Sequence, residues 1–461
     1  MAGTISNLLE IGLRALMSNQ IAIQVSAHNI ANANTDGYSR QKVILSPTSP
    51  LSNQSLAKPL MAGQIGTEEG IAKIRRMRDE FLDSQYRKVL TSVGEWDVRA
   101  DMLERIEYLL NEPSENGIAS AIDSFFSQWH ELSKNPESMA VRASVREAGF
   151  TLSSALRFLR ANLSDLKDSF DRNIVVMVEE INSIVERVAE LNGKIATLKI
   201  SGGNPSDLED LRDLLLDNLS KIVPISKWER NDGMVDIFVG SHALVSGVET
   251  ERLMAGPTSN GKEYAVWFEG GDSFSPLGGK LKGYMEARET AGKYISLLDS
   301  LASRIIESVN SLHRLGYGLE GSTNVNFFSG SDSSDIGIDP LIEGDLGRIA
   351  AAKAPNAPGD GSNALDIANI IGSKEDPAEL FRSILSRLGI ESQEARNGLD
   401  ASKVVEGQIA NHREAISGVS LDEEIVALIS YQRAYSAAAR FITIVDEMLD
   451  IIVNRLGLVG R

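Results

Sequence analysis

Three short runs bring phosphate- or cation-handling residue types together. Gly256-Pro257-Thr258-Ser259-Asn260-Gly261-Lys262 has Walker A spacing, in which backbone amides cradle phosphate and a hydroxyl after the lysine holds magnesium. Glu263 occupies that hydroxyl position, where a carboxylate would repel phosphate. The flanks read as a hairpin rather than a strand feeding a helix, so the run is assigned to a turn. Gly316-Tyr317-Gly318-Leu319-Glu320-Gly321 fits the dinucleotide fingerprint, but it follows a helical pattern and opens none. A pyrophosphate needs the helix N-terminus at that place. Asp332 to Glu343 carries Gly337 and Glu343 at the sixth and twelfth positions of a calcium loop, yet Ser334 and Ile336 replace oxygen-rich ligands, and no cation is assigned.

Other chemistry has less to stand on. His28, His130, His242, His313 and His412 form no i, i+4 pair and no H-E-x-x-H arrangement, and no serine sits in a G-x-S-x-G elbow. The chain has 461 residues, 46 basic and 64 acidic, for a net charge of −18, and no cysteine. Zero cysteine removes disulfides, thiolate metal sites and cysteine nucleophiles. The acidic balance argues against phosphate neutralisation on nucleic acid and against an anionic membrane surface. No apolar run reaches the roughly 18 residues of a membrane span, and the first residues lack a basic region followed by a pure apolar stretch, so no ordinary secretory signal is expected. Acidic residues in number, without spacing, are read as solvated helix faces. No catalytic residue, metal ligand or cofactor site is assigned, and the reading is non-enzymatic.

The elements that remain are long helices. Leu9, Leu16, Ile23 and Ile30 recur every seven residues, with Ile5, Gly12 and Leu13 widening the stripe, until Asn32-Ala33-Asn34-Thr35-Asp36-Gly37 ends the pattern. A Ser/Pro/Gly/Thr-rich stretch to about Gly70 reads as an extended loop, followed by a short strand over Ile71 to Ile74. Helices are expected over about 79–110, 117–133, 136–200 and 208–222, with a break at Asn111-Glu112-Pro113-Ser114. From Pro224 to about Gly279 the segments turn short, β-branched and aromatic, with turn pairs at Asn231-Asp232-Gly233 and Asn260-Gly261. Helix resumes over about 281–315, a loop-like stretch fills most of 316–362, and helix runs from 364 to the end. The last segment is a heptad seam: Leu421, Leu428, Tyr435, Ile442, Leu449 and Leu456, with Tyr431, Ala438, Val445 and Ile452 three positions on.

These patterns predict a mainly α protein with a smaller β insertion (α+β). It should be elongated, with its two terminal helices pairing as an antiparallel coiled coil around a long helical bundle. Three domains are expected: 1–70 with 418–461 as a terminal assembly domain, 71–223 with 281–417 as a discontinuous helical domain, and 224–280 as a β-rich insertion. Apolar surface left over on the terminal helices would serve self-assembly. A coiled-coil interaction module of another kind would use the same heptads to form a stable dimer or trimer.

Ser26-Ala27-His28-Asn29-Ile30-Ala31-Asn32-Ala33-Asn34-Thr35-Asp36-Gly37-Tyr38-Ser39-Arg40-Gln41 resembles the signature shared by axial proteins of the bacterial flagellum: rod, hook and hook-associated proteins. The Gly37-Tyr38-Ser39-Arg40-Gln41 ending is similar to the hook-associated members. Gly418-Val419-Ser420-Leu421-Asp422-Glu423-Glu424, Tyr431-Gln432-Arg433-Ala434-Tyr435 and Asp446-Glu447-Met448-Leu449 agree at the other end. Internal pieces such as Val309-Asn310-Ser311-Leu312-His313 agree as well. Asp36 stands where the family often has proline, and the middle is short for the family, which leaves room for one small β domain.

The resemblance implies a structural subunit at the hook–filament junction, or, in the nearest alternative, a hook or distal rod protein. It implies export unfolded through the flagellar type III apparatus, with an export chaperone and terminal helices that order on assembly. The implied partners are copies of the same chain, hook protein and hook-associated protein 3, with no nucleic acid, membrane or small-molecule substrate. Asn29, Asn32, Asn34, Gly37 and Tyr38 would shape the turn leaving the inner helix. A chain that passes a channel unfolded has reason to lack cysteine.

Overall fold

The computed structural model describes residues 2–47, 69–110, 114, 117–258 and 264–451. Helix α1 (Ala2–Ala31) leads into an antiparallel ribbon of β1 (Gln41–Pro47) and β2 (Glu69–Arg76), with Gln41 opposite Arg76. The expected strand at 71–74 is thus longer than its alternation suggested, and the first part of the expected loop is its partner. Most of that loop, residues 48–68, lies outside the described residues, as do Asn111, Glu112 and Pro113 of the expected break.

Helices α2 (Glu80–Leu110), α3 (Ile118–Lys134), α4 (Met139–Ile200) and α5 (Ser206–Ile222) follow. Strands β3 (Ser226–Glu229), β4 (Val235–Val239), β5 (His242–Ser246) and β6 (Glu249–Thr250) form one antiparallel sheet. Strands β7 (Leu253–Pro257), β8 (Tyr264–Phe268) and β9 (Ser273–Phe274) form a second. Then come α6 (Gly279–Leu315), the small pair β10 (Phe328–Ser329) and β11 (Gly337–Ile338), α7 (Pro340–Gly344), α8 (Ser362–Ala368), α9 (Pro377–Ser417) and α10 (Leu421–Asp450). The chain is mainly helical with a smaller antiparallel β insertion.

Local chemistry marks the starts of the long helices. The Ser138 hydroxyl accepts from the Val141 amide at the head of α4. The Asp376 carboxylate accepts from the Ala378 and Glu379 amides at α9, with Pro377 in the first turn. At α10 the Ser420 hydroxyl accepts from the Glu423 amide, and Asp422, Glu423 and Glu424 place negative charge at the positive end of the helix dipole.

Helix α4, 62 residues and hence about 90 Å long, runs through two apolar cores. The first gathers α3, the leading half of α4, the trailing halves of α2 and α6, and the start of α9 around Phe125, Trp129, Phe327 and Phe328. The second joins the trailing half of α4 and the inner face of α5 to the strands, through Ile181, Val188, Leu216, Ile237, Leu244 and Phe268. The β insertion therefore shares its core with two helices. Two buried asparagines extend the join by acting as strand neighbours. Asn182 exchanges two hydrogen bonds with the Leu253 backbone, and Asn192 accepts from the Val235 amide while donating to the Val235 and Gly247 carbonyls.

The stretch expected to be loop-like, 316–362, is mostly irregular and also a packed cover over the first core, burying Phe327, Phe328, Ile336, Ile342 and Ile349. Its irregular backbone is satisfied by side chains from the helices beneath. Asn310 accepts from the Phe327 and Phe328 amides. Arg142, buried, donates to the carbonyls of Pro136 at 2.8 Å and Ile349 at 2.6 Å, and burial pulls its guanidinium down to about 10. His313 is sealed between the Val325 carbonyl, 2.7 Å from Nδ1, and the Ala350 amide, which donates to Nε2 at 2.9 Å. Burial pushes His313 down to about 4, so the ring is neutral, with its proton on Nδ1.

Candidate assembly interface and its joint

Helices α1 and α10 pack along their lengths in opposite directions. Gly12 faces Ile442, while the turn after α1 meets the first turn of α10. A Cβ on Gly12 would lie 2.6 Å from Ile442 Cγ1, so the glycine sets how closely the helices approach. Leu428, Tyr431, Tyr435, Ala438, Ile442 and Leu449 are half-buried along the seam and Val445 is fully buried; Leu421 is exposed. Ile452 and Leu456 lie outside the described residues. On α1, Leu9, Leu16, Ile23 and Ile30 are also half-buried. The deeper line is Ser18, Ala22, Val25 and Asn29, a mixed set of small, polar and apolar residues that the heptad of large apolar positions does not reveal. One seam position of α10, seven residues before Tyr431, is Glu424, only 3% exposed.

A second apolar stripe remains uncovered. Ile425, Val426, Ile429, Ile444, Met448 and Ile451 are 44–68% exposed. At about 100° per residue they lie roughly half a turn from the seam. The pair therefore uses one face of α10 internally and leaves an apolar patch near each end of the opposite face, with Arg433 and Arg440 exposed between them.

The signature turn is built from its own polar residues. Asn29 donates to the Gln41 carbonyl, and its Oδ1 accepts from the Gln41 amide and, at 2.7 Å, from the Tyr38 hydroxyl. Asn32 donates back to the His28 carbonyl, and Tyr38 sits edge-on to His28. Burial, with Asp207, Asp210 and Glu424 nearby, raises the Tyr38 phenol well above its usual range, so it stays a donor. Gly37 has φ +78°, and a Cβ there would also press on Leu214 of α5 at 3.1 Å, so glycine is required twice over. Asn34 is exposed, and among the described residues no hydrogen bond holds its side chain. Four of the five turn residues are thus drawn into one arrangement, and Asn34 stands outside it.

Beyond the turn lies a lattice of ion pairs that spacing did not predict. Asp210, Asp213 and Asp217 occupy one buried face of α5. Arg76 meets Asp210 and Asp213, both at 2.8 Å, and Glu209 at 3.0 Å. Arg78 grips Asp83 through two nitrogens and reaches Asp213 at 3.3 Å. Arg87 bridges Asp213 and Asp217; Arg413, near the end of α9, bridges Asp83 and Asp217 and lies over the Tyr86 ring. Burial alone would raise the Asp213 carboxyl, but Arg78, Arg76 and Arg87 together hold it far below the ordinary range. Carboxylates read as a solvated face are thus the buried centre of the joint. The only sequence trace is their i, i+3, i+7 spacing on a helix whose other face is leucine-rich.

The lattice ties the end of β2, α2, α5 and α9 together but offers nothing that reacts. Its carboxylates are neutralised by arginine, and among the described residues no cluster of three or more His, Asp or Glu could hold a metal. The calcium-like run uses its acids locally: Asp332 accepts from the Ser334 amide, Asp335 from those of Ser331 and Asp332, and Asp339 caps α7. Gly256 and Pro257 of the Walker-like run lie in β7, while Ser259–Glu263 are outside the described residues, and the GxGxxG run begins where α6 stops.

The chain is thus a helical body with paired terminal helices rooted in a polar joint, and apolar patches are left exposed on α10. Comparison with known proteins agrees from end to end. The family described as flagellar hook-associated protein FlgK helical domain matches residues 103–328. Two further families, flagella basal body rod protein and the C-terminal part of flagellar basal body rod FlgEFG protein, match residues 9–38 and 413–456. Flagellar hook-associated protein 1 of Bacillus subtilis (strain 168) is 30% identical, over 98% of this chain and 99% of its own length. That of Escherichia coli (strain K12) is 22% identical over 97% and 100%. A solved structure, the flagellar hook junction protein FlgK from Burkholderia pseudomallei, superposes with TM-score 0.50 at 23% identity, over 53% of this chain and 46% of that one, and shows the shared fold. The chain belongs to the flagellar hook-associated protein 1 family.

Proposed function

We propose that this chain is a structural subunit of the bacterial flagellum that forms the junction between hook and filament. The observation that carries the reading is the pair of apolar patches on the outer side of α10, Ile425 to Ile429 and Ile444 to Ile451, left uncovered after the terminal helices have paired with each other. Covering it with neighbouring copies would contribute about 25 cal/mol for each Å² of apolar area removed from water. The division of labour follows the chain: 1–70 with 418–461 assembles, 71–223 with 281–417 forms the surrounding helical body, and 224–280 lies outermost. One end of the assembly would seat on hook protein and the other would receive hook-associated protein 3. The subunit acts without catalysis, and its family supports delivery by the flagellar export apparatus, aided by an export chaperone, in place of a cleaved signal peptide. Deleting the gene in a motile host should leave hooks without filaments and flagellin free in the medium, both restored by the intact gene. Normal filaments in the deletion strain would refute the reading, and loss of the hook itself would reassign the chain to the hook or distal rod.

A further inference from the structure

Between the terminal helix pair and the helical body, the chain passes once from α1 into β1 and once from α9 into α10. Both crossings converge on Arg40. Its amide donates to the carbonyl of Ser417, the last residue of α9, at 2.8 Å, and its own carbonyl accepts from the Met77 amide just after β2. Its guanidinium then spans the gap to α10: Nε donates to Glu424 at 2.8 Å and Nη1 to Glu423 at 2.8 Å. The preceding residue holds the other side. Ser39 donates to Asp210 of α5 through its amide at 2.9 Å and its hydroxyl at 2.7 Å.

Only Gly418, Val419 and Ser420 separate α9 from α10. Such a three-residue link leaves the interhelical angle free unless something bridges it. The bridge is asymmetric in a telling way. The Glu423 side chain is 64% exposed, so its pairing contributes little, whereas the Glu424 side chain is buried. A carboxylate buried at a seam position destabilises the helix pair unless a cation reaches it, and Arg40 is the cation that does. Glu424 can therefore enter the seam only when α10 stands at the angle that brings it to Arg40.

We propose that Arg40 is a positioning residue: it staples the α9–α10 hinge and fixes the angle at which the terminal pair leaves the body. The α10 root is then oriented by the subunit itself. The consequence for filament assembly rests on the junction reading; the geometry does not.

The absence of cysteine makes a direct test simple, because an introduced pair is the only labelled pair. Nitroxides at Gln408→Cys on α9 and Ser430→Cys on α10, both exposed, report the hinge angle in the full-length chain. The labelled parent should give one narrow distance distribution. Arg40→Ala and Glu424→Gln should each at least double its width with helical circular dichroism unchanged, and Arg40→Lys, which keeps charge but loses the fork, should fall between. Glu424→Gln guards against a fold lost through the bulkier change. A broad distribution in the parent, or an unchanged width in both Arg40→Ala and Glu424→Gln, overturns the proposal. A parent that fails to restore filaments to the deletion strain refutes the junction reading alone, since the distance measurement does not depend on it.

Discussion

The helical body and the terminal pair bury themselves by opposite means. In the body, Phe125, Trp129, Phe327 and Phe328 form a cluster whose touching rings lie 4.9–6.3 Å apart, centre to centre, with almost no exposure. In the terminal pair, Val445 is the single fully buried apolar side chain among the described residues of α10, and most seam residues are only half covered. The body's apolar surface is spent internally, and so its fold is its own. The ends leave much of theirs uncovered, and a charged bridge from Arg40 to Glu424 meets them at their root. On the proposed junction reading, stability and assembly reside in different residues of one chain, a separation that substitutions can break or sharpen.

The largest effect should come from the body. Phe327→Ala removes a ring that packs on Phe125, Trp129, Phe328 and His313 and should destabilise the body by about 3–5 kcal/mol, read as a lowered denaturant midpoint. A loss below about 1 kcal/mol would mean that the cover at 316–362 does not seal the core, and the contrast between the regions would collapse.

The next effect belongs to His313, which must be neutral in the fold. Its folded pKa of about 4 lies below the ordinary 6.5. The stability it contributes is therefore complete above pH 6.5 and is lost as pH falls from there toward 4. At about 1.4 kcal/mol per unit that amounts to about 3 kcal/mol. Denaturant titrations over this range should show a shallower decline for His313→Gln than for the parent. Equal slopes would assign the acid sensitivity to carboxylates elsewhere.

How much of this was legible in sequence follows the same divide. The long helices declared themselves by period, and turn pairs such as Asn231-Asp232-Gly233 placed the β insertion to within a few residues. The heptads of α1 and α10 gave the pairing, because residues repeating every seven must share a face. The cover over the first core was not legible: Phe327, Ile336 and Ile349 follow no period, and the backbone at Phe327, Ile349 and Ala350 is satisfied by Asn310, Arg142 and His313 from α6 and α4. Nor was the joint, since Arg76 and Asp210 are 134 residues apart and nothing local marks either as paired. Repeating patterns reveal elements, whereas single long-range partners such as Arg40 and Glu424 emerge only once those elements are placed.

The smallest effect on stability should accompany a large one on assembly. Ile444 is half exposed on the outer face of α10, turned away from the seam with α1. Replacing it with Asp removes apolar surface that the subunit does not cover, so the denaturant midpoint of the monomer should move by no more than about 0.5 kcal/mol equivalent. In a filament that surface would be enclosed by a neighbouring copy, and a buried carboxylate without a cation costs several kcal/mol at every contact. Repeated around a ring, that cost should abolish filament formation in a complemented deletion strain while the variant subunit is still secreted at parental levels. If Ile444→Asp instead lowers monomer stability by as much as a body substitution does, the outer stripe is part of the subunit's own fold. The ends would then differ from the body only in degree.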